Sequence, residues 1–170
     1  MSRERPVSRH IPYLALLLLV VVAARCQPAG EKQPPGGDGK APVSFISAQY
    51  GFRFDLPDDW RGFCVLQSHW GLPSEENGPV LILRSPEYTE DDPHEDIPIM
   101  IFTHQQWKKI VRGDLLVSTA FPPEEIGRNT RHVFGIVWRD FNDNRTGYKE
   151  VFAILQNHPM HTFRPKTQDR

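Results

Sequence analysis

The chain has 170 residues, of which 39% are hydrophobic and 24% are charged, and its formal net charge is −1. This length allows one globular domain with flanking segments and leaves little room for two. The near-zero charge argues against nucleic-acid binding, which requires an excess of Lys and Arg to neutralise phosphates. Two cysteines are too few for a disulfide framework or for a zinc site built mainly of thiolates. An apolar core must therefore stabilise the fold.

The N-terminus has the pattern of an export signal. Three arginines precede residues 14–24, which read LALLLLVVVAA and contain no polar side chain. This apolar stretch has 11 residues, whereas a helix that spans a membrane needs about 20. We therefore predict that residues 1–26 are a signal peptide that directs export, with a permanently spanning helix as the alternative.

Two processing routes compete at the end of this signal. The small residues Val22 and Ala24 stand at the −3 and −1 positions for an ordinary cut after Ala24. The sequence Ala23-Ala24-Arg25-Cys26 also resembles a bacterial lipoprotein signal, in which the cysteine is acylated and becomes the mature N-terminus. Arg25 departs from that pattern, because those signals carry Gly, Ala or Ser there. Release and lipid anchoring at Cys26 both stay open.

Residues 27–42 have the composition of a flexible linker. Eight of these 16 positions are Pro or Gly, and none is aromatic or β-branched. Such a segment cannot bury enough apolar surface to offset the entropy of ordering it. The pattern then changes to short apolar runs separated by turn residues, which indicates strands. We assign residues 43–165 to one domain and residues 166–170 to a C-terminal tail.

The domain is predicted to be α+β, with an antiparallel sheet of about six to seven strands and one or two helices. Residues 104–112 are the best helix, because their apolar residues share one helical face and Gly113 can end it. A second short helix is predicted over residues 122–127, where two prolines precede two acids. Residues 132–140 and 148–155 are predicted to form a hairpin. The other predicted strands are residues 43–48, 52–56, 63–68, 80–84 and 97–103.

Residues 50–60 read YGFRFDLPDDW, in which aromatic residues alternate onto one sheet face before Pro57 ends the strand. This segment resembles the opening hairpin of PsbP-like domains. Residues 96–103, with Gln106 and Trp107, resemble a family of exported bacterial proteins that has no assigned activity. The resemblance implies an antiparallel sheet with helices and implies no activity, and the PsbP-like domains attached to photosystems are accessory binders.

Aromatic residues outside a clean strand period indicate a candidate partner surface. The chain has four tryptophans, and any that stays partly exposed would combine a large apolar area with a hydrogen-bond donor. We place this surface in the loop-rich segment 60–73, with Trp60, His69 and Trp70 as the binding residues.

Metal and thiol chemistry have weaker support. His158 and His161 could share a metal ion only with a third ligand from elsewhere. Pro159, between them, disfavours a helix that brings both rings together, so no metal and no cofactor are predicted. Cys64 lies in an apolar run, which favours an inert buried thiol. A disulfide between Cys26 and Cys64 is the alternative in an oxidising compartment, provided that Cys26 is not acylated.

The sequence contains no nucleophile-elbow motif, phosphate-binding glycine loop or metalloprotease helix motif. We therefore predict a non-catalytic binding or accessory domain of the bacterial cell envelope, either released or held at the membrane. Its partner would be an envelope protein or a small ligand. The alternatives are a hydrolase that uses some of His69, His104, His132 and Asp140, or a metal-responsive exported module.

Overall fold

The computed structural model describes residues 43–71, 75–117, 121–138 and 145–165, together with the backbone of residues 27–28. These residues form nine strands, two α-helices and one 3₁₀ turn, and the predicted α+β class is confirmed. None of their helices has the length and apolarity required to span a membrane. In chain order the elements are β1 (Gln27–Pro28), β2 (Val43–Ser47), β3 (Phe52–Leu56), the 3₁₀ turn (Asp58–Trp60), β4 (Cys64–Trp70), β5 (Gly78–Arg84), β6 (Ile97–Thr103), α1 (His104–Arg112), β7 (Glu124–Arg128), β8 (His132–Ile136), α2 (Tyr148–Gln156) and β9 (Met160–Thr162).

The strands form two antiparallel sheets. The larger sheet has five strands in the order β4-β5-β6-β8-β7, and the two-residue β1 pairs with the outer edge of β4. The smaller sheet has the order β2-β3-β9. Because β9 pairs with β3, the last described strand is joined to the beginning of the domain.

The larger sheet is covered on both faces. Ile97, Ile99 and Ile101 of β6 belong to the main core, which also contains residues of the smaller sheet and of α2. Met100 and Phe102 belong to a second cluster, which α1 covers with its Trp107 side chain. A strand that is buried on both faces needs no polar alternation. This explains the unbroken apolar run of β6.

Helix α1 has the predicted bounds because its two ends are encoded locally. The Gln106 N–H donates to Thr103 Oγ1 at 3.1 Å, and the Thr103 N–H donates to Gln106 Oε1 at 2.8 Å, which together form a capping box. Gly113, with a φ of 80°, ends the helix in the left-handed conformation. The prediction of a helix over residues 104–112 is confirmed.

The predicted hairpin between residues 132–140 and 148–155 is wrong. β8 pairs with β6 and β7 instead, and the second segment forms α2. The buried residues of α2 are Val151, Ile154 and Leu155, which have the spacing of one helical face. A short apolar run fits both the helical and the strand period. Packing of this face against the larger sheet favours the helix.

The predicted second helix over residues 122–127 is also wrong, because most of it lies in β7. This strand pairs with β8 and has a bulge between Glu125 and Gly127. Ile126, the additional residue in the bulge, packs against the main core. The hydrogen bonds to β8 and the packing of the partly buried Ile126 against the core outweigh the local signals for a helix start.

Gly51 and Gly113 allow the effects of backbone conformation and of packing to be separated. Both have a positive φ, 75° and 80°. A Cβ at Gly51 would lie 2.5 Å from the Phe163 carbonyl oxygen, whereas nothing lies within 4 Å of a Cβ at Gly113. We expect Gly113→Ala to lower the free energy of unfolding by about 1–2 kcal/mol, because alanine is strained in the left-handed conformation. Gly51→Ala should cost about 1–3 kcal/mol more from overpacking. Equal losses in urea denaturation would refute this difference.

Candidate functional site

A cleft lies between α2, the start of β6 and the residues that follow β8. Its cavity is small, about 20 Å³, and is partly open to solvent. β8 pairs with β6 only from Met100 to Thr103, so β8 leaves β6 uncovered at Pro98. A proline suits this position because it has no N–H group that would need a ladder partner. The cleft therefore forms where the pairing of these two strands stops.

One wall of the cleft is aromatic. Trp138 follows β8 and is half-buried, and its ring lies 5.3 Å from that of Phe152 on α2, at an interplanar angle of 55°. The Trp138 Nε1–H group donates a hydrogen bond to Glu124 of β7, which fixes the orientation of the indole. The two rings give a bound molecule a large, rigid apolar surface.

Two carboxylates also line the cleft. Glu95 is 6% exposed, and its Oε2 lies 3.6 Å from Arg145 Nε. Asp96 accepts a hydrogen bond from Arg84 at 3.0 Å, and this bond raises the pKa of Arg84. Each carboxylate thus has an arginine beside it. The charges are compensated before any ligand binds, which lowers the cost of burying them.

Tyr148 lines the cleft, and its hydroxyl is an unpaired polar group. It is buried, and no residue described by the structure forms a hydrogen bond with it. Buried hydroxyl groups in proteins nearly always have a hydrogen-bond partner. A tyrosine hydroxyl can both donate and accept a hydrogen bond.

The acidic loop before β6 is held against the start of α2. The Glu95 N–H donates to the Thr146 carbonyl oxygen at 2.8 Å. The Thr146 hydroxyl donates to Asp92 Oδ1 at 2.9 Å. These two bonds tie the loop that carries the carboxylates to the helix that carries Tyr148. The polar groups are therefore held in place without a ligand, which reduces the conformational entropy that would be lost on binding.

The structure places Trp60 and Trp70 in the core, and this corrects their prediction as surface residues. They are 1% and 4% exposed. The Trp60 Nε1–H donates to Glu150 Oε1 at 2.6 Å, and the Trp70 Nε1–H donates to the Ile101 carbonyl oxygen at 3.1 Å. His69 does lie exposed on β4. The two indoles thus offer no area to a partner in the folded domain.

The two histidines near the C-terminus lie on the surface. His161 Nε2 is 3.0 Å from Asp55 Oδ2. His158 lies between α2 and β9, and its φ is 50°. Over the described ranges, no group of three or more His, Cys, Asp and Glu side chains could hold a metal ion. The histidine pair has no third ligand there.

The residues considered for a hydrolase do not gather at the cleft. His104 lies at the start of α1 beside β8, and its Nε2 is 2.9 Å from the Asn129 carbonyl oxygen. Neither His104, His132 nor His69 lines the cleft. Asp140 lies outside the described residues.

His132 is held in an environment that disfavours its protonated form. Burial lowers the pKa of His132, and the positive charges of Arg131 and His104 lower it further, against an opposing hydrogen bond to the Tyr50 backbone. Its Nδ1 is buried and has no hydrogen-bond partner in the described part of the chain. The unfolded chain therefore takes up the proton at a higher pH than the folded domain does. The free energy of unfolding should therefore decrease as the pH drops from about 6.5, the ordinary pKa of His, towards the lower pKa that His132 has in the folded domain.

The variant His132→Gln tests this pH dependence. We expect urea denaturation to show a smaller loss of stability than in the wild type between a pH of about 7.5 and a pH of about 5. Arg131→Gln should give an intermediate loss, because it removes one of the neighbouring positive charges. Profiles with the wild-type slope in both variants would show that His132 does not contribute.

Cys64, at the start of β4, is half-buried and disulfide-bonded. This corrects its interpretation as an inert thiol. Cys26, the residue predicted as a lipidation site, lies outside the described residues, as do the rest of the leader and most of the linker.

The described residues form an α+β domain with a small, mostly apolar cleft beside α2. Comparison with known proteins gives no match, since no family model, curated protein or solved structure is significantly similar to the chain. The cleft and the sequence must therefore carry the functional conclusion.

Proposed function

We propose that this protein is an exported, non-catalytic binding domain of the bacterial cell envelope, and that the cleft beside α2 is its binding site. The cleft carries the proposal, because an aromatic wall, a buried hydroxyl and two carboxylates meet there. Ligand sites typically combine apolar walls with a few placed polar groups. The apolar leader supports export. The disulfide at Cys64 supports an oxidising compartment.

The lining favours a ligand with an apolar body and a hydrogen-bond donor. Trp138 and Phe152 supply the apolar surface, and the Tyr148 hydroxyl or a carboxylate can accept the donor. A strongly cationic ligand gains less, because Glu95 and Asp96 already have arginine partners. A side chain of an envelope protein and a small molecule both have this chemistry.

The lining supports binding over turnover. Hydrolysis by a protein nucleophile needs that nucleophile and a base within hydrogen-bond reach of each other. The described lining has no Ser, Cys or His side chain, and its carboxylates lie beside arginines. The cleft has groups that hold a ligand and lacks a nucleophile–base pair.

The four tryptophans can locate the site. Each indole N–H group gives its own signal in a nitrogen–proton NMR spectrum. When a detergent-solubilised envelope fraction is added, we expect the Trp138 signal to shift. The signals of Trp60, Trp70 and Trp107 should stay in place, because these residues are at most 9% exposed. A shift of Trp107 alone would move the site to the α1 face, and the absence of any shift would overturn the binding proposal.

Export is tested separately by fractionating the producing cells. We expect the protein outside the cytoplasm and without its leader, because an apolar stretch of this length is removed after translocation. A cytosolic protein that keeps its starting methionine would refute export. The NMR experiment would then still test whether the cleft binds a ligand.

A further inference from the structure

The disulfide of Cys64 bears on how the mature protein begins. Cys64 is disulfide-bonded within a structure of a single chain. The sequence contains one other cysteine, Cys26. We propose that Cys26 is the partner of Cys64, so that its sulfur closes a disulfide and does not carry a lipid. This goes beyond the proposed function and rests on its export step alone.

β1 begins directly after Cys26 in the sequence and pairs with the strand that carries Cys64. Gln27 pairs with Val65, and Pro28 pairs with Cys64, in antiparallel register on the outer edge of β4. The described residues that follow Cys26 in the sequence therefore lie on the edge of the strand that carries Cys64.

The disulfide and the lipid anchor exclude each other at Cys26. A lipoprotein carries diacylglycerol on the cysteine sulfur through a thioether, and the same atom cannot also bond to Cys64. Arg25 stands where lipoprotein signals have a small residue, which already disfavours acylation. The leader would then be cut after Ala24 and leave Cys26 on the mature chain.

Disulfide formation needs an oxidant outside the cytoplasm. The two thiols lose two protons and two electrons as their sulfur–sulfur bond forms. A protein disulfide oxidant of that compartment accepts both electrons through its own disulfide and becomes a dithiol. The exchange passes through a mixed disulfide with one of the two cysteines, and the other thiolate releases it.

The disulfide changes the role of the Pro/Gly-rich segment. A lipid at Cys26 would make residues 27–42 a tether between the membrane and the domain. A bond from Cys26 to Cys64 makes them part of a closed loop, with β1 held on the edge of the larger sheet. Covering an edge strand protects its unpaired backbone groups from pairing with other chains. The mature protein would then be a released domain with a pinned N-terminus.

Intact mass tests the proposal on the protein isolated from the envelope, after free thiols have been blocked with N-ethylmaleimide. We expect no maleimide on the native chain, a mass lower than that of the reduced chain by two hydrogen atoms, and two maleimides after reduction and relabelling. A proteolytic fragment should join the peptides that contain Cys26 and Cys64. Diacylglycerol on Cys26, maleimide on either cysteine before reduction, or a dimer linked through Cys64 would overturn the proposal.

Cys26→Ser is the matched variant, and it should leave Cys64 open to maleimide without reduction. Localisation is read from the same cells, so the two proposals can fail separately. Free thiols in an exported protein would overturn the proposed disulfide without contradicting export. A cytosolic protein would overturn export, and the purified chain is then oxidised with glutathione disulfide. Failure to form the intramolecular bond there overturns the disulfide as well.

Discussion

Replacing Phe134 with alanine should lower the free energy of unfolding by about 3–5 kcal/mol, the largest loss of stability that we expect from one substitution. Phe134 lies on β8 and is fully buried. Its ring centroid is 4.9 Å from that of Phe52 on β3. This contact joins the larger sheet to the smaller one, so alanine would leave a cavity between the two sheets. Urea denaturation measures the loss.

Phe163→Ala is the matched control, because Phe163 is 40% exposed and should change stability by about 0.5 kcal/mol or less. If Phe134→Ala fails to fold, Phe134→Leu retains part of the volume and should still cost about 1–2 kcal/mol. Losses at position 134 no larger than those at position 163 would refute a core shared by both sheets. Separate unfolding transitions for the two sheets would refute it as well.

Replacing Trp138 with alanine should weaken binding about thirtyfold, which corresponds to about 2 kcal/mol and is the size of effect seen at central aromatic residues of binding sites. The indole forms the aromatic wall together with Phe152. The measurement is the amount of solubilised envelope fraction that half-saturates the NMR shifts of the α2 backbone amides.

Trp138→Phe should have a smaller effect, because it keeps an aromatic ring and loses only the donor to Glu124. Phe163→Ala should leave the half-saturating amount unchanged, since Phe163 lies outside the cleft lining. If Trp138→Ala and Phe163→Ala bound with equal strength, the aromatic wall would have no part in recognition.

The elements that the sequence predicts correctly are those whose signals are local. β6 is an unbroken apolar run, and α1 has a capping box at Thr103 and Gln106 and a glycine at its end. Each of these signals acts within a few residues, so the order of the chain contains all the information needed. The α+β class follows from the number of such segments.

The elements that it misassigns depend on distant contacts. The apolar residues of α2 fit a strand as well as a helix, and the choice is made by packing against the larger sheet. The indoles of Trp60 and Trp70 likewise find their acceptors far away in the chain, at Glu150 and at the Ile101 carbonyl. A count of tryptophans does not reveal those acceptors, so it cannot tell a core residue from a surface residue.

The sequence does not reveal the cleft for the same reason. Its polar groups come from Glu95 and Asp96 before β6 and from Tyr148 on α2, and its aromatic wall joins Trp138 to Phe152. One usable signal was present, because two adjacent acids directly before a buried strand require compensation by nearby groups. That signal indicates a polar site without naming the aromatic residues beside it.

Photo-crosslinking in living cells tests the binding cleft most directly. A photoreactive phenylalanine analogue is placed at position 152, inside the cleft, and in a separate strain at position 163, outside it. We predict a covalent adduct with an extracytoplasmic component from position 152, loss of that adduct when Trp138→Ala is added, and no adduct from position 163. Adducts of equal yield from both positions, or none from position 152, would contradict a ligand site beside α2.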